Sequence, residues 1–170
     1  SITFDGTDDC VNFDVSNLGN TATVEMWCKL KSFSNTMPFG WNRYDVYCNG
    51  GEMGYNTSAS DRYGLTSTQV TNLGLLNNWK HYVFEMRTDV SYTNNKIYVN
   101  GVEQSLSQVA GTENSGNRSF NSGQGRIAGW RADNNYRMSM DLALFKVYNK
   151  ALTASEISQN FNALRGRFGI

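Results

Sequence analysis

Three groups of residues in this chain have types and spacings that could do chemistry. The first is aromatic and polar. Trp41-Asn42-Arg43-Tyr44 and Trp130-Arg131-Ala132-Asp133-Asn134-Asn135-Tyr136 each set ring faces beside amide, carboxylate or guanidinium groups. Rings stack on sugar faces and the polar groups hold hydroxyls, so this combination suits non-catalytic carbohydrate binding. The segment NTSASDRYG, 56–64, adds Asn56, Asp61, Arg62 and Tyr63. The candidate ligand-binding residues are therefore Trp41, Arg43, Tyr44, Asn56, Asp61, Arg62, Trp130, Arg131, Asn135 and Tyr136. The same clusters also read as turns whose rings cover a sheet edge.

The second group is acidic. Asp5, Asp8, Asp9, Asp61, Asp133 and Asp141 sit in or beside turn-like stretches. Hard cations want several oxygens, and these side chains could supply them. Asp is also a plain turn former, which accounts for most of these positions without any ion. The third is the lone histidine, His81, inside WKHYVF. One imidazole supplies no His-rich zinc site, and nothing else in the chain points to a triad around it. A strand histidine of this kind reads as a satisfied structural imidazole.

Composition narrows the classes. The chain has 15 basic and 15 acidic residues, and no basic stripe of the kind nucleic acid favours. Its longest apolar run is far short of a membrane span. No signal-peptide pattern opens it. Ser1 follows a removed Met, or the chain is a piece of something longer. Cys10, Cys28 and Cys48 lack the C-x-x-C spacing of a metal site and each lies in a strand-like run. Buried free thiols are the plain reading, with one disulfide and one free thiol as the alternative.

The elements that must position these residues are strands. With 21 Asn, 16 Gly and one Pro, the chain is rich in turn formers. Strand-like runs fall at 2–4, 10–13, 22–30, 37–41, 44–48, 51–56, 62–66, 79–87, 125–130 and 140–149. In ATVEMWCKL, Val24, Met26, Cys28 and Leu30 share one face, and Glu25, Trp27 and Lys29 the other. NKIYVNGVEQSL adds a hairpin, because Asn100-Gly101 accepts the positive φ of a type I′ turn. Its apolar face holds Ile97, Val99, Val102 and Leu106; the face with Lys96, Tyr98, Glu103 and Ser105 is expected to be wet. Short strands without alternating helices predict an all-β sandwich or barrel, one domain over 1–170. One helix, with Thr153 as N-cap, Glu156 completing a capping box, Leu152 stapled to Ile157 and Gly166 as the terminating residue, carries an apolar stripe of Ile157, Phe161 and Leu164 and is expected to pack on the strands and close the fold. The polar stretch 111–125 is too long for a tight turn and reads as a functional or mobile loop.

FDGTDDCVNF, VEMWCKL, NNWKHYVFEM, NKIYVNGVEQ and DLALFKVYNKALTASEI follow one another in this order. Together they resemble the laminin G-like, concanavalin A-like lectin/glucanase jelly roll. The resemblance implies two antiparallel sheets face to face, with Trp27, Trp79 and Phe84 in the core or on sheet faces. Glucanases of that fold carry paired carboxylates in a pattern like E-x-D-x-x-E. Here Glu25 is followed two residues on by Trp27, and Glu85 by Arg87, so the pattern is missing and hydrolysis is not expected. A divergent polysaccharide hydrolase or lyase is the last-ranked alternative. Laminin G-like domains often bind calcium at the sheet rim, which makes Ca2+ the ion to look for, with Asp61 and Asp133 as its candidate ligands. GYNTSASDRYGLTS and QNFNALRGRFGI are further similar to structural proteins of tailed, especially marine, bacteriophages. That likeness implies a virion surface protein, a capsid decoration or fibre, with other virion proteins and a glycan or host surface polysaccharide as partners. A purely structural interaction module is the alternative, and an extracellular or secreted location the alternative to the particle surface.

Overall fold

The computed structural model describes residues 1–58, 61–120 and 123–170. Ala59 and Ser60 of the 56–64 segment, and Asn121 and Ser122 of the 111–125 stretch, lie outside the described residues. In chain order the strands are β1 (Ile2–Asp5), β2 (Val11–Asp14), β3 (Thr21–Leu30), β4 (Thr36–Trp41), β5 (Asp45–Asn49), β6 (Glu52–Asn56) and β7 (Arg62–Leu65). A short helix, α1 (Ser67–Asn72), precedes β8 (Trp79–Arg87), β9 (Lys96–Val99), β10 (Val102–Glu103), β11 (Ser107–Ala110), β12 (Gln124–Ile127) and β13 (Ser139–Tyr148). Helix α2 (Ala154–Leu164) ends the order, continued by a 3-10 turn at Arg165–Phe168.

The strands form two antiparallel sheets. One runs β1-β13-β3-β8-β9-β10 and the other β11-β7-β6-β5-β4-β12-β2. This is the expected all-β sandwich with one C-terminal helix. Alternation decides what enters the core: Val24, Met26, Cys28 and Leu30 of β3 meet Val46 and Cys48 of β5 and Met53 and Tyr55 of β6 in one cluster. Cys10, Cys28 and Cys48 are free thiols, Cys28 and Cys48 fully buried. Burial pushes both of those thiols up from their ordinary value. Among the described residues, no helix is long and apolar enough to cross a membrane.

The hairpin forms as read. Val102 pairs with Val99 and Glu103 with Tyr98, and Asn100 and Gly101 take φ of 51° and 79°. Its two faces need correction. Val102 is 62% exposed, because the two-residue β10 forms the sheet edge. Tyr98, expected in water, is buried with Val83, Leu152 and Ile157. The cause is α2, which lies on the outer face of the six-stranded sheet. Thr153 and Glu156 make the capping box, and Leu152 and Ile157 share one apolar cluster. Beyond them Phe161 and Phe168 stack on Trp27 at 5.9 and 4.3 Å. The left-handed terminating residue is Gly169, φ 73°, and not Gly166, because the chain winds on through the 3-10 turn.

Three further differences concern local elements. Thr66, read as the end of a strand, instead caps α1 with Gln69 in a second capping box. β11 pairs with β7 across a bulge at Gln108/Ala110, although its residues show little apolar alternation. β12 stops at Ile127, since Ala128 (φ 61°) and Gly129 (φ 150°) turn the chain and leave Trp130 on a loop.

Candidate functional site

β5 and β6 lie side by side, with Asp45 opposite Asn56. Val46 and Cys48 of β5 point into the core, so Asp45 and Tyr47 face the outside of the seven-stranded sheet. A cavity of about 640 Å³ opens there. The β4–β5 turn supplies Asn42 and Arg43; Asp45 and Tyr47 lie along it with Asn56, Thr57 and Asn117; Trp130 and Tyr136 close it.

The electrostatic centre is Asp45. It is 1% exposed, and Asn56 Nδ2 donates to its two oxygens at 3.1 and 3.3 Å. Burial drives its carboxyl well above the ordinary carboxylate value; the Asn56 amide opposes this and the Asp61 charge adds to it. Asn56 Oδ1 and Asn42 Oδ1 are buried with no hydrogen-bond partner among the described residues.

The aromatic wall is built by the turn after β12. Arg126, 8% exposed, reaches under that turn. It donates to Asn12 Oδ1 (2.9 Å), to the Trp130 carbonyl (2.7 Å) and to the Asp133 carbonyl. Trp130 Nε1 donates to the Asn42 carbonyl at 2.9 Å, tying the ring to the β4–β5 turn. Tyr136, at φ 61°, packs edge to face with Tyr47 at 5.6 Å and with Trp130 at 5.7 Å. The Arg62 guanidinium lies 5.3 Å from the Tyr47 ring centroid while bonded to Glu52 Oε2 at 2.7 Å.

Of the residues nominated from sequence, Arg43, Asn56, Trp130 and Tyr136 meet in this cavity. Trp41 and Tyr44 do not. Both are fully buried in the core, Trp41 against Phe13 and Phe120 and Tyr44 stacked on Phe120, where no ligand reaches them from solvent. Asp61 caps the turn after β6: its oxygens accept from Thr57 N, Thr57 Oγ1 and Ser58 N at 2.6–2.9 Å. Arg131 bonds Gln124 at 3.4 Å, and Asn135 is held by Asp133 at 2.7 Å through both its backbone and its side-chain nitrogen. Asp61, Arg62, Arg131 and Asn135 support the walls and do not line the cavity. Asp133 and Asp61 thus act in turns. Among the described residues the one group of three acids with oxygens within 4.8 Å of one another is Asp5, Asp8 and Asp9, all exposed.

Asp45, Tyr47 and Asn117 were not nominated. Alternation in YDVYC puts the first two on the face opposite Val46 and Cys48, without showing that a cavity lies there. Asn117 depends on the fold of a long loop, where its Nδ2 donates to the Thr57 carbonyl at 2.7 Å. His81 is a buried imidazole on the other sheet, its Nε2 3.1 Å from Glu25 Oε1.

A family model described as the concanavalin A-like lectin/glucanases superfamily matches residues 5–158. A search of curated protein sequences returns no match. Among solved structures, the chain resembles the receptor binding domain of botulinum neurotoxin C/D mosaic serotype, with TM-score 0.62, 10% identity, and coverage of 95% of this chain and 42% of that one. It resembles the botulinum neurotoxin serotype D ligand binding domain, solved in complex with N-acetylneuraminic acid, with TM-score 0.61, 11% identity and coverage of 95% and 41%. It also resembles the binding domain of Paraclostridial Mosquitocidal Protein 1, with TM-score 0.58, 14% identity and coverage of 95% and 42%. The chain thus spans about two fifths of each of these structures, which at such identities share its fold alone. With nearly its whole length matched by the family model, the chain belongs to the concanavalin A-like lectin/glucanases superfamily.

Proposed function

We propose that this chain is a non-catalytic glycan-binding module, and that the cavity on the outer face of the seven-stranded sheet is its site. The observation that carries this is the juxtaposition of Trp130, Tyr136 and Tyr47 with the Asp45–Asn56 pair. Rings for stacking and convergent polar groups for hydroxyls are what a sugar site needs. The N-acetylneuraminic acid complex of a protein with this fold supports the same class of ligand. Among the described residues lining the cavity Asp45 is the one acid, whereas two-carboxylate glycoside hydrolysis needs a pair.

The likeness of GYNTSASDRYGLTS and QNFNALRGRFGI to phage structural proteins supports a place on a virion surface, where the module would decorate the capsid or a fibre and meet host or environmental polysaccharide. A second reading, contact with other particle proteins, draws on exposed Ile2, Val11 and Val102, which lie on the edge strands β1, β2 and β10. A glycan array tests the first reading. Wild type is expected to bind a defined set of glycans and Trp130→Ala to lose at least tenfold in affinity with its fold intact. Retained binding in that variant moves the site elsewhere. A well-folded wild type that binds no glycan, and is oligomeric in solution, favours the second reading.

A further inference from the structure

The cavity also says which kind of glycan it fits. Three buried carboxylates can be compared. Glu25 has His81, Tyr148 and Asn160 on its oxygens and Lys146 nearby. Asp61 takes hydrogen bonds from Thr57 and Ser58. Asp45 has the Asn56 amide alone, and no lysine, arginine or histidine nitrogen within 4.0 Å, among the described residues. It is the deep acid without a cation, and it lines the cavity.

The groups around it are complementary to a cation in two further ways. Asn56 Oδ1 and Asn42 Oδ1, in the same lining, are buried acceptors with no donor among the described residues. Asn56 is 8% exposed, so its unmet acceptor is a buried one. An ammonium group brings three donors and no acceptor, the inverse of this oxygen set. The walls are the rings of Tyr47, Trp130 and Tyr136, whose faces attract cations. Tyr47 already carries the Arg62 guanidinium on one face. A ligand ammonium would stabilise the ionised form of Asp45 by pairing with it, whereas a ligand carboxylate or a neutral hydroxyl offers it no counter-ion. Arg43 is the one cation lining the cavity among the described residues; it is exposed and turned to Asn117 Oδ1 at 3.4 Å, so solvent screens it.

We infer that the cavity selects glycans carrying a free amine, that is, unacetylated amino sugars, with the ammonium seated between the Asp45 carboxylate and the Tyr47–Trp130–Tyr136 rings. This rests on the glycan-binding reading and names its ligand class. Calorimetric titration of the whole chain, in buffer containing a chelator, compares three oligosaccharides of one backbone geometry. They are β-1,4-glucosamine oligomers, their N-acetylated forms, and β-1,4-glucose oligomers. The glucosamine oligomer is expected to bind at least tenfold more tightly than the other two. Asp45→Asn, which keeps the shape and one acceptor for the Asn56 amide, is expected to lose that preference while its circular dichroism and melting stay cooperative. Equal or tighter binding of the acetylated or neutral oligomers, lost in Trp130→Ala, overturns the amine inference and leaves the glycan site standing. An amine preference that survives in Asp45→Asn, or that disappears when chelator is added, overturns it too. Absence of binding to all three overturns it as well, and a glycan array on the same sample then decides the broader reading.

Discussion

The two sheets of the sandwich each bury a carboxylate on their outer face, and the two are treated in opposite ways. Under α2, Glu25 accepts from His81, Tyr148 and Asn160, with Lys146 at 3.8 Å. Burial raises its carboxyl, but the His81 and Tyr148 hydrogen bonds and the Lys146 charge outweigh burial, and it settles below the ordinary value. On the seven-stranded sheet Asp45 has one amide, burial wins, and its carboxyl rises. One face is sealed by a helix, and its carboxylate is paired there. The other is left open over a carboxylate that its neighbours do not neutralise. Satisfied networks hold folds together, whereas unsatisfied groups in a cavity mark the places kept for a ligand.

The comparison breaks most visibly at Glu25. Glu25→Ala removes the acceptor of three side chains and is expected to lower stability by about 3–5 kcal/mol, read by urea unfolding. In the wild type the Glu25 contribution has the sign of a lowered acid. It is present above the unfolded value near 4.5 and lost as pH falls through the lower folded one. A loss under about 1 kcal/mol in Glu25→Ala would make the network incidental.

Phe168→Ala comes next. It uncovers one side of Trp27, which is fully buried and stacked on Phe168 at 4.3 Å. Since Phe168 is itself only half-buried, a loss of about 2 kcal/mol is expected, together with a red shift of tryptophan emission. An unchanged spectrum would mean that the 3-10 turn does not seal this face.

Asp45→Asn has the opposite sign. An acid raised by burial contributes stability that is complete below its unfolded value of 3.8 and is lost as pH rises through the folded value. Asparagine lacks that loss. The variant is therefore expected to match wild type near pH 4 and to exceed it at pH 8 by about 1–2 kcal/mol, as thermal melts across that range would show. A variant less stable at every pH would mean that the carboxyl is satisfied in the empty protein.

The smallest stability effect belongs to Trp130→Ala. Its ring is half-buried, and its Nε1 makes one hydrogen bond, to the Asn42 carbonyl. A loss of about 1 kcal/mol is expected in melting, alongside the large loss of glycan binding. A large stability loss instead would make Trp130 a structural ring like Trp41.

What could be read in advance follows from how local each feature is. The Asn100-Gly101 hairpin, the β3 alternation and the Thr153–Glu156 capping box depend on neighbours a few residues away, and all three stand in the structure. The burial of Tyr98 on an outer sheet face was not legible, because α2 arrives from more than fifty residues further along the chain. Trp41 and Trp130 show the same limit at the site. Each stands beside asparagine and arginine residues in the sequence, yet β4 turns Trp41 into the core while the Ala128–Gly129 turn carries Trp130 out to the cavity. Composition around an aromatic residue does not state which way its strand faces. Asp45 was missed for a related reason. A lone aspartate in a strand reads as solvated until β4, the 56–58 turn and the Trp130 loop are seen to close over it.

The central claim is that the open face of the seven-stranded sheet, and not the helix-covered face, takes the ligand. Hydrogen exchange of the whole chain with and without a saturating oligosaccharide tests it directly, because the two faces lie on different peptides. Slowed exchange is predicted at 42–47, 56–58, near Asn117 and across 130–136, with β8 and α2 unchanged. Protection confined to β8 and α2 would contradict the account.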